Sequence, residues 1–202
     1  MTLFQIIFLG ASAFFAWQIY KFIQNFGDGE TKLPSDTGTP SRPEPAHPSY
    51  PGVQEIDTLI DKADTAYGEG SLSEARVYLE RAEKQDPNNP EILNKLAFIL
   101  FKEGSNEEAL QKYKRSLAAD PDDDLTHNAA AAVLRKLGRL DEAQEHYKNA
   151  VDIDDTFEET YYNYGQLLVE KGDNEGARMM FEKALELRPD YAEAKSALET
   201  LK

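Results

Sequence analysis

The sequence contains no cysteine. Disulfides, thiolate nucleophiles and cysteine-ligated zinc or iron–sulfur centres are therefore excluded. Histidine is scarce, at positions 47, 127 and 146 only, which speaks against a histidine-rich metal site. Basic residues are in deficit: 22 Lys and Arg face 37 Asp and Glu, leaving a formal charge of −15 over 202 residues. An acidic surface repels phosphate backbones, so nucleic acid is not an expected partner. Asp120, Asp122, Asp123 and Asp124 lack the spacing and terminal Glu of a calcium loop. They read instead as a solvated turn and a negatively charged helix start. His127 opens one helix and His146 precedes Tyr147 on another, and each reads as a locally satisfied side chain. No catalytic, cofactor or metal site is expected, and the chain does not read as an enzyme.

Charge is absent from the first twenty residues. A helix from Leu3 to Ile23 would rise about 30 Å, enough to cross a bilayer core. Trp17, Tyr20 and Lys21 gather at one end, where amphipathic side chains suit the headgroup region. The expectation is an uncleaved transmembrane anchor over residues 1–23, with the lipid bilayer as partner of residues 3–23. A cleaved signal peptide is the alternative, but no basic residue precedes position 21. A packed globular helix is the other alternative, with little neighbouring chain to cover it. The flanking lysines lean the single-pass topology slightly towards a cytoplasmic carboxy-terminal domain. No GxxxG pair supports dimerisation through this segment.

Residues 24–55 change character. Prolines at 34, 40, 43, 45, 48 and 51, with glycines at 27, 29, 38 and 52, interrupt a stretch with little to bury. This reads as a disordered, partly extended tether.

From Ile56 onward a period of 34 appears. Gly70, Gly104, Gly138 and Gly172 mark it. After each comes a small residue (Ala75, Ala109, Ala143, Ala177), then a large one (Leu79, Tyr113, Tyr147, Phe181), then a small one (Ala82, Ser116, Ala150, Ala184). Pro87, Pro121 and Pro189 close three units, with Asp155 at the matching place in the third. A small residue lets two helices approach closely, and the large one on the same face fills the space between units. Glycine permits the turn within each pair.

These residues resemble the tetratricopeptide repeat family, built from 34-residue helical hairpins. First-helix patterns such as Leu93, Leu96, Ala97 and Leu100, and Tyr161, Tyr164, Gly165 and Leu168, agree with it. The first unit is the least regular, with Lys62 where a large apolar residue is usual. The expected fold is all-α: a tetratricopeptide α-solenoid of four hairpins plus a capping helix, behind the transmembrane helix. The domain spans 56–202, with units 56–89, 90–123, 124–157 and 158–191 and a cap at about 190–202.

The resemblance implies a concave groove lined by first helices. Its candidate peptide-contacting residues are Asn94, Phe98, Phe101, Asn128, Arg135, Tyr162 and Gln166. The amides both donate and accept, as a peptide backbone requires, and the aromatics offer apolar pockets. One subtype of the family clamps acidic carboxy-terminal tails with Lys and Asn. Here the clamp positions hold Ile60, Asp64, Leu125 and Ala129, so that mode is not expected. The functional expectation is a membrane-anchored protein–protein interaction scaffold. It would assist assembly or localisation of a membrane-associated complex by holding an extended peptide or helix of another protein. Structural self-association is the alternative.

Overall fold

The computed structural model describes residues 51–201. Among these residues lie nine α-helices and no strand: α1 Pro51–Gly68, α2 Leu72–Gln85, α3 Pro90–Lys102, α4 Asn106–Ala119, α5 Asp124–Lys136, α6 Leu140–Ile153, α7 Glu158–Glu170, α8 Asn174–Leu187 and α9 Ala192–Thr200. The first eight pair as antiparallel hairpins, and each hairpin packs on the next. The expected four hairpins and terminal helix are present. The first helix, however, starts at Pro51, ahead of the expected Ile56. Proline is favoured at a first helical position because its φ is already helical. The remainder of the expected tether, 24–50, lies outside the described residues.

The membrane expectation is corrected. Among the described residues no helix is long and apolar enough to cross a membrane. The longest, α1, carries Glu55, Asp57, Asp61, Lys62 and Asp64. The most apolar, α3, has 13 residues and rises about 20 Å, short of a bilayer core of about 30 Å. The run at 3–23 that prompted the single-pass localisation and its cytoplasmic lean lies outside the described residues.

Each hairpin turn uses one device. The chain leaves α3 through Gly104, at φ 86°, a left-handed conformation that costs any residue with a Cβ. Ser105 N–H then reaches back to the Leu100 carbonyl at 2.9 Å, and Gly104 N–H to Phe101 at 3.0 Å. This is the Schellman arrangement, which satisfies the last carbonyls of the helix. The other three hairpins repeat it. Two of the first helices, α3 and α5, are capped by side chains: Asn89 accepts from Glu91 N–H at 3.0 Å, and Asp123 from Thr126 N–H at 3.1 Å. Such caps contribute about 1 kcal/mol each.

The small–large–small seam is the core. Ala75, Ala109, Ala143 and Ala177 have no exposed surface, and Leu79, Tyr113, Tyr147 and Phe181 are buried beside them. Tyr147 stacks on Tyr164 of the next hairpin with ring centroids 5.8 Å apart. Phe181 reaches α7 at Gly165, where an added Cβ would lie 2.6 Å from the Phe181 ring. Glycine at 165 is thus a packing requirement.

The two described histidines are not separate. His127 Nδ1 and His146 Nδ1 lie 3.0 Å apart, joining α5 to α6. His127 Nε2 sits 3.1 Å from the Pro121 carbonyl. A carbonyl only accepts, so His127 donates from Nε2, and its bare Nδ1 accepts from His146 Nδ1–H. Sequence spacing gives no measure of this contact, because it depends on how α6 is rotated against α5. Burial, the neighbouring His127 and Lys114 on α4 together hold the His146 pKa down, at about 4, against a smaller opposing pull from Glu142.

Two outcomes are expected. Gly165→Ala should lower stability by about 1–3 kcal/mol by displacing the Phe181 ring. Gly68→Ala, with nothing near its added Cβ, should be neutral or stabilising by up to about 1 kcal/mol. Thermal melts of the two variants check the opposite signs. For His146, the folded pKa lies below the unfolded value, so the unfolded chain takes up the proton first. The pair's stabilisation is complete above about pH 6.5 and is lost as pH falls towards about 4. Allowing for its solvated edge, the loss is about 1–2 kcal/mol. Imidazole NMR titration should place His146 near pH 4, and the melting-point advantage over His146→Gln should shrink over that window.

Candidate functional site

The first helices α1, α3, α5 and α7 form one face of the array, with α3 touching α5 and α5 touching α7. The sequence-derived groove residues fall on these helices, but to differing depths. Phe98 is 5% exposed; it packs on Tyr67 of α1, ring centroids 5.6 Å apart, under the Lys102 ammonium at 5.2 Å. Asn128 is 2% exposed and accepts from Asn163 Nδ2 at 3.4 Å. Asn94, Phe101, Arg135, Tyr162 and Gln166 are half-buried, on the surface of this face.

Several of them are tied from hairpin to hairpin. Asn94 Nδ2 donates to Asp123 Oδ2 at 3.1 Å, so the cap of α5 also grips α3. The Asn94 Oδ1 is buried and has no hydrogen-bond partner among the described residues, which leaves one acceptor on this face unfilled. Arg135 pairs with Glu170 on α7 at 3.4 Å and donates to the Asn163 carbonyl at 3.4 Å. Tyr162 accepts from Gln166, and its ring lies between Phe181 and Tyr191, at 5.7 and 5.1 Å. The face therefore combines positioned amides, a guanidinium and half-covered aromatic rings. A preformed surface of this kind loses little conformational freedom on binding.

Sequence reasoning missed the strongest polar contact on this face. Lys95 Nζ lies 3.1 Å from both carboxylate oxygens of Asp64, with Glu91 at 3.6 Å. Both partners of the main pair are buried, joining α1 to α3. Burial lowers the Lys95 pKa, and Asp64 opposes the shift. The available signal was one lysine inside the apolar stretch Ile92–Phe101, since a charge there needs a partner. Its identity could not follow from spacing, because Asp64 is 31 residues away. At the other end of the face, burial raises the Glu159 pKa, Arg188 opposes, and Glu158 and Glu193 add to the rise.

Known proteins agree with this geometry. Residues 66–133 and 122–190 each match a family model described as tetratricopeptide repeat. No curated protein sequence matches the chain. Similar solved structures include MamA 41-end from Desulfovibrio magneticus RS-1, with a TM-score of 0.67 and 20% identity over 73% of this chain and 83% of that one. PilF of Pseudomonas aeruginosa gives 0.69 and 21%, over 75% and 69% of the two chains. The first TPR of Spaghetti (RPAP3), solved bound to the HSP90 peptide SRMEEVD, gives 0.54 and 24%, over 55% and 89%. At these identities the likeness is one of fold. The repeat models, the hairpin geometry and the shared fold together establish that the chain belongs to the tetratricopeptide repeat family, whose fold is that of a protein–protein interaction scaffold.

Proposed function

We propose that the chain gathers another protein by holding an extended peptide or helix on its concave, first-helix face, and so assists the assembly of a complex. The observation that carries this reading is the surface line Asn94, Phe101, Arg135, Tyr162 and Gln166, half-buried, with Asn94 and Arg135 bonded between hairpins and Gln166 bonded to Tyr162 within α7. Phe101 and Tyr162 present partly covered rings to apolar side chains. A similar fold in RPAP3 holds the peptide SRMEEVD. This chain has Asp64 and Leu125 among the positions of the acidic-tail clamp, so a partner tail of that acidity is disfavoured here.

The test is binding of the captured partner, measured by calorimetry after chemical cross-linking identifies it. Phe101→Ala combined with Arg135→Ala should weaken binding by at least about tenfold, as expected when an aromatic or arginine anchor is lost. Val77→Ser, at a half-exposed site on α2, should leave affinity within about twofold. The reverse pattern would move the docking surface to the second helices.

A further inference from the structure

The face ends differently from the way it begins. α3, α5 and α7 touch in succession, and α9 packs on α8, with Ala194 in a buried cluster with Tyr161 of α7. The Tyr162 ring, set between Phe181 and Tyr191, occupies the angle between α7 and α9. Beyond it the two helices leave an open cleft in two adjoining parts, of about 450 and 350 Å³. Ala197 and Thr200 line both parts. Val169, at 41% exposure, offers an uncovered apolar surface to the inner part.

The rim is acidic. Glu193 stands at the outer end and Glu170 at the inner end, and no basic residue lines either part. Nearby cations are already engaged: Arg135 is held by Glu170 at 3.4 Å, Arg188 by Glu158 at 3.1 Å, and Arg178 donates to the Leu201 carbonyl at 3.2 Å. Arg188 also lies over the Tyr191 ring at 3.6 Å. Glu159, on the turn of α7 before Tyr162, is destabilised as an anion by burial and by the neighbouring Glu158 and Glu193, against the pull of Arg188 and a hydrogen bond from Asn163. A further cation brought to this end would relieve that repulsion. An anion would add to it.

We propose that the α7–α9 cleft receives an apolar side chain of a partner protein segment that carries lysine or arginine beside it. Charge complementarity selects this occupant. A second copy of the chain, itself at −15, would bring mainly like charge to the rim. The proposal deepens the groove reading and rests on it, because Tyr162 and Gln166 belong to both surfaces.

The 202-residue chain would be titrated with three synthetic peptides: leucine–lysine, leucine–glutamate of the same pattern, and serine–lysine of the same charge. Methyl and amide NMR shifts would be followed at Val169, Ala197 and Thr200. The leucine–lysine peptide should bind and shift these signals, with the other two weaker by at least about tenfold. Ala197→Phe, which fills the cleft, and Glu193→Lys, which reverses its rim, should each weaken binding by about fivefold or more, with unchanged helicity. Equal binding of the serine–lysine peptide, or indifference to both variants, would assign the affinity to general acidity and overturn the proposal. Phe101→Ala alone, which touches no residue of the cleft rim, separates the two readings. If it abolishes peptide binding while both cleft variants retain it, the cleft proposal fails and the wider groove reading stands. If the cleft variants alone lose binding, the cleft is the site.

Discussion

A two-helix hairpin of this length has apolar surface on both sides and can cover only one of them itself. The rest of the structure depends on that constraint. Ala75, Ala109, Ala143 and Ala177 have no exposed surface, which brings the two helices of each hairpin together. The large residue that follows each of them is buried in the same seam. Tyr147 meets Tyr164 across the boundary between the third and fourth hairpins, and Phe181 meets Gly165 within the fourth. Burial is completed by neighbours in sequence, so the contacts are local. The array must also end in something that covers the last hairpin. Here that is α9, through Ala194, Ala197 and Leu198.

Stacking also decides which side chains line the binding face. First helices are placed side by side, and polar residues on them find partners one unit away: Asn94 with Asp123, Asn128 with Asn163, Arg135 with Glu170. Lys95 with Asp64 is the buried extreme. Replacing such a pair with apolar residues is often neutral, whereas removing one partner strands a charge. The pair is therefore better read as fixing the register of α1 against α3 than as a store of stability. These ties hold the face in one shape before any partner arrives. Surface left open by the ties, at Phe101, Tyr162 and the α7–α9 cleft, is where binding can be built.

The repeat was legible because it is written in residue size at fixed spacing. Gly104, Ala109, Tyr113 and Ser116 specify turn, seam, filler and seam, and the geometry follows. The cap at α9 was legible from Ala194, Ala197 and Leu198 for the same reason. What spacing does not carry is the rotation of one helix about its axis relative to another. That rotation joins His127 to His146 and Asp64 to Lys95, and it buries Phe98 and Asn128 below the surface where a groove pattern alone would set them. The start of α1 at Pro51 was hidden because proline reads equally as tether and as helix opening. The α7–α9 cleft was invisible in sequence, since it arises from how α9 is set against the last hairpin.

The central claim is that stability comes from stacking between hairpins and so depends on the number of neighbours. Native-state hydrogen exchange on the 202-residue chain tests it most directly. Amides in the interior helices α4 to α6, flanked on both sides, should show the greatest protection, declining towards α1 and α9. Protection of α9 equal to or greater than that of α4 to α6 would contradict the account.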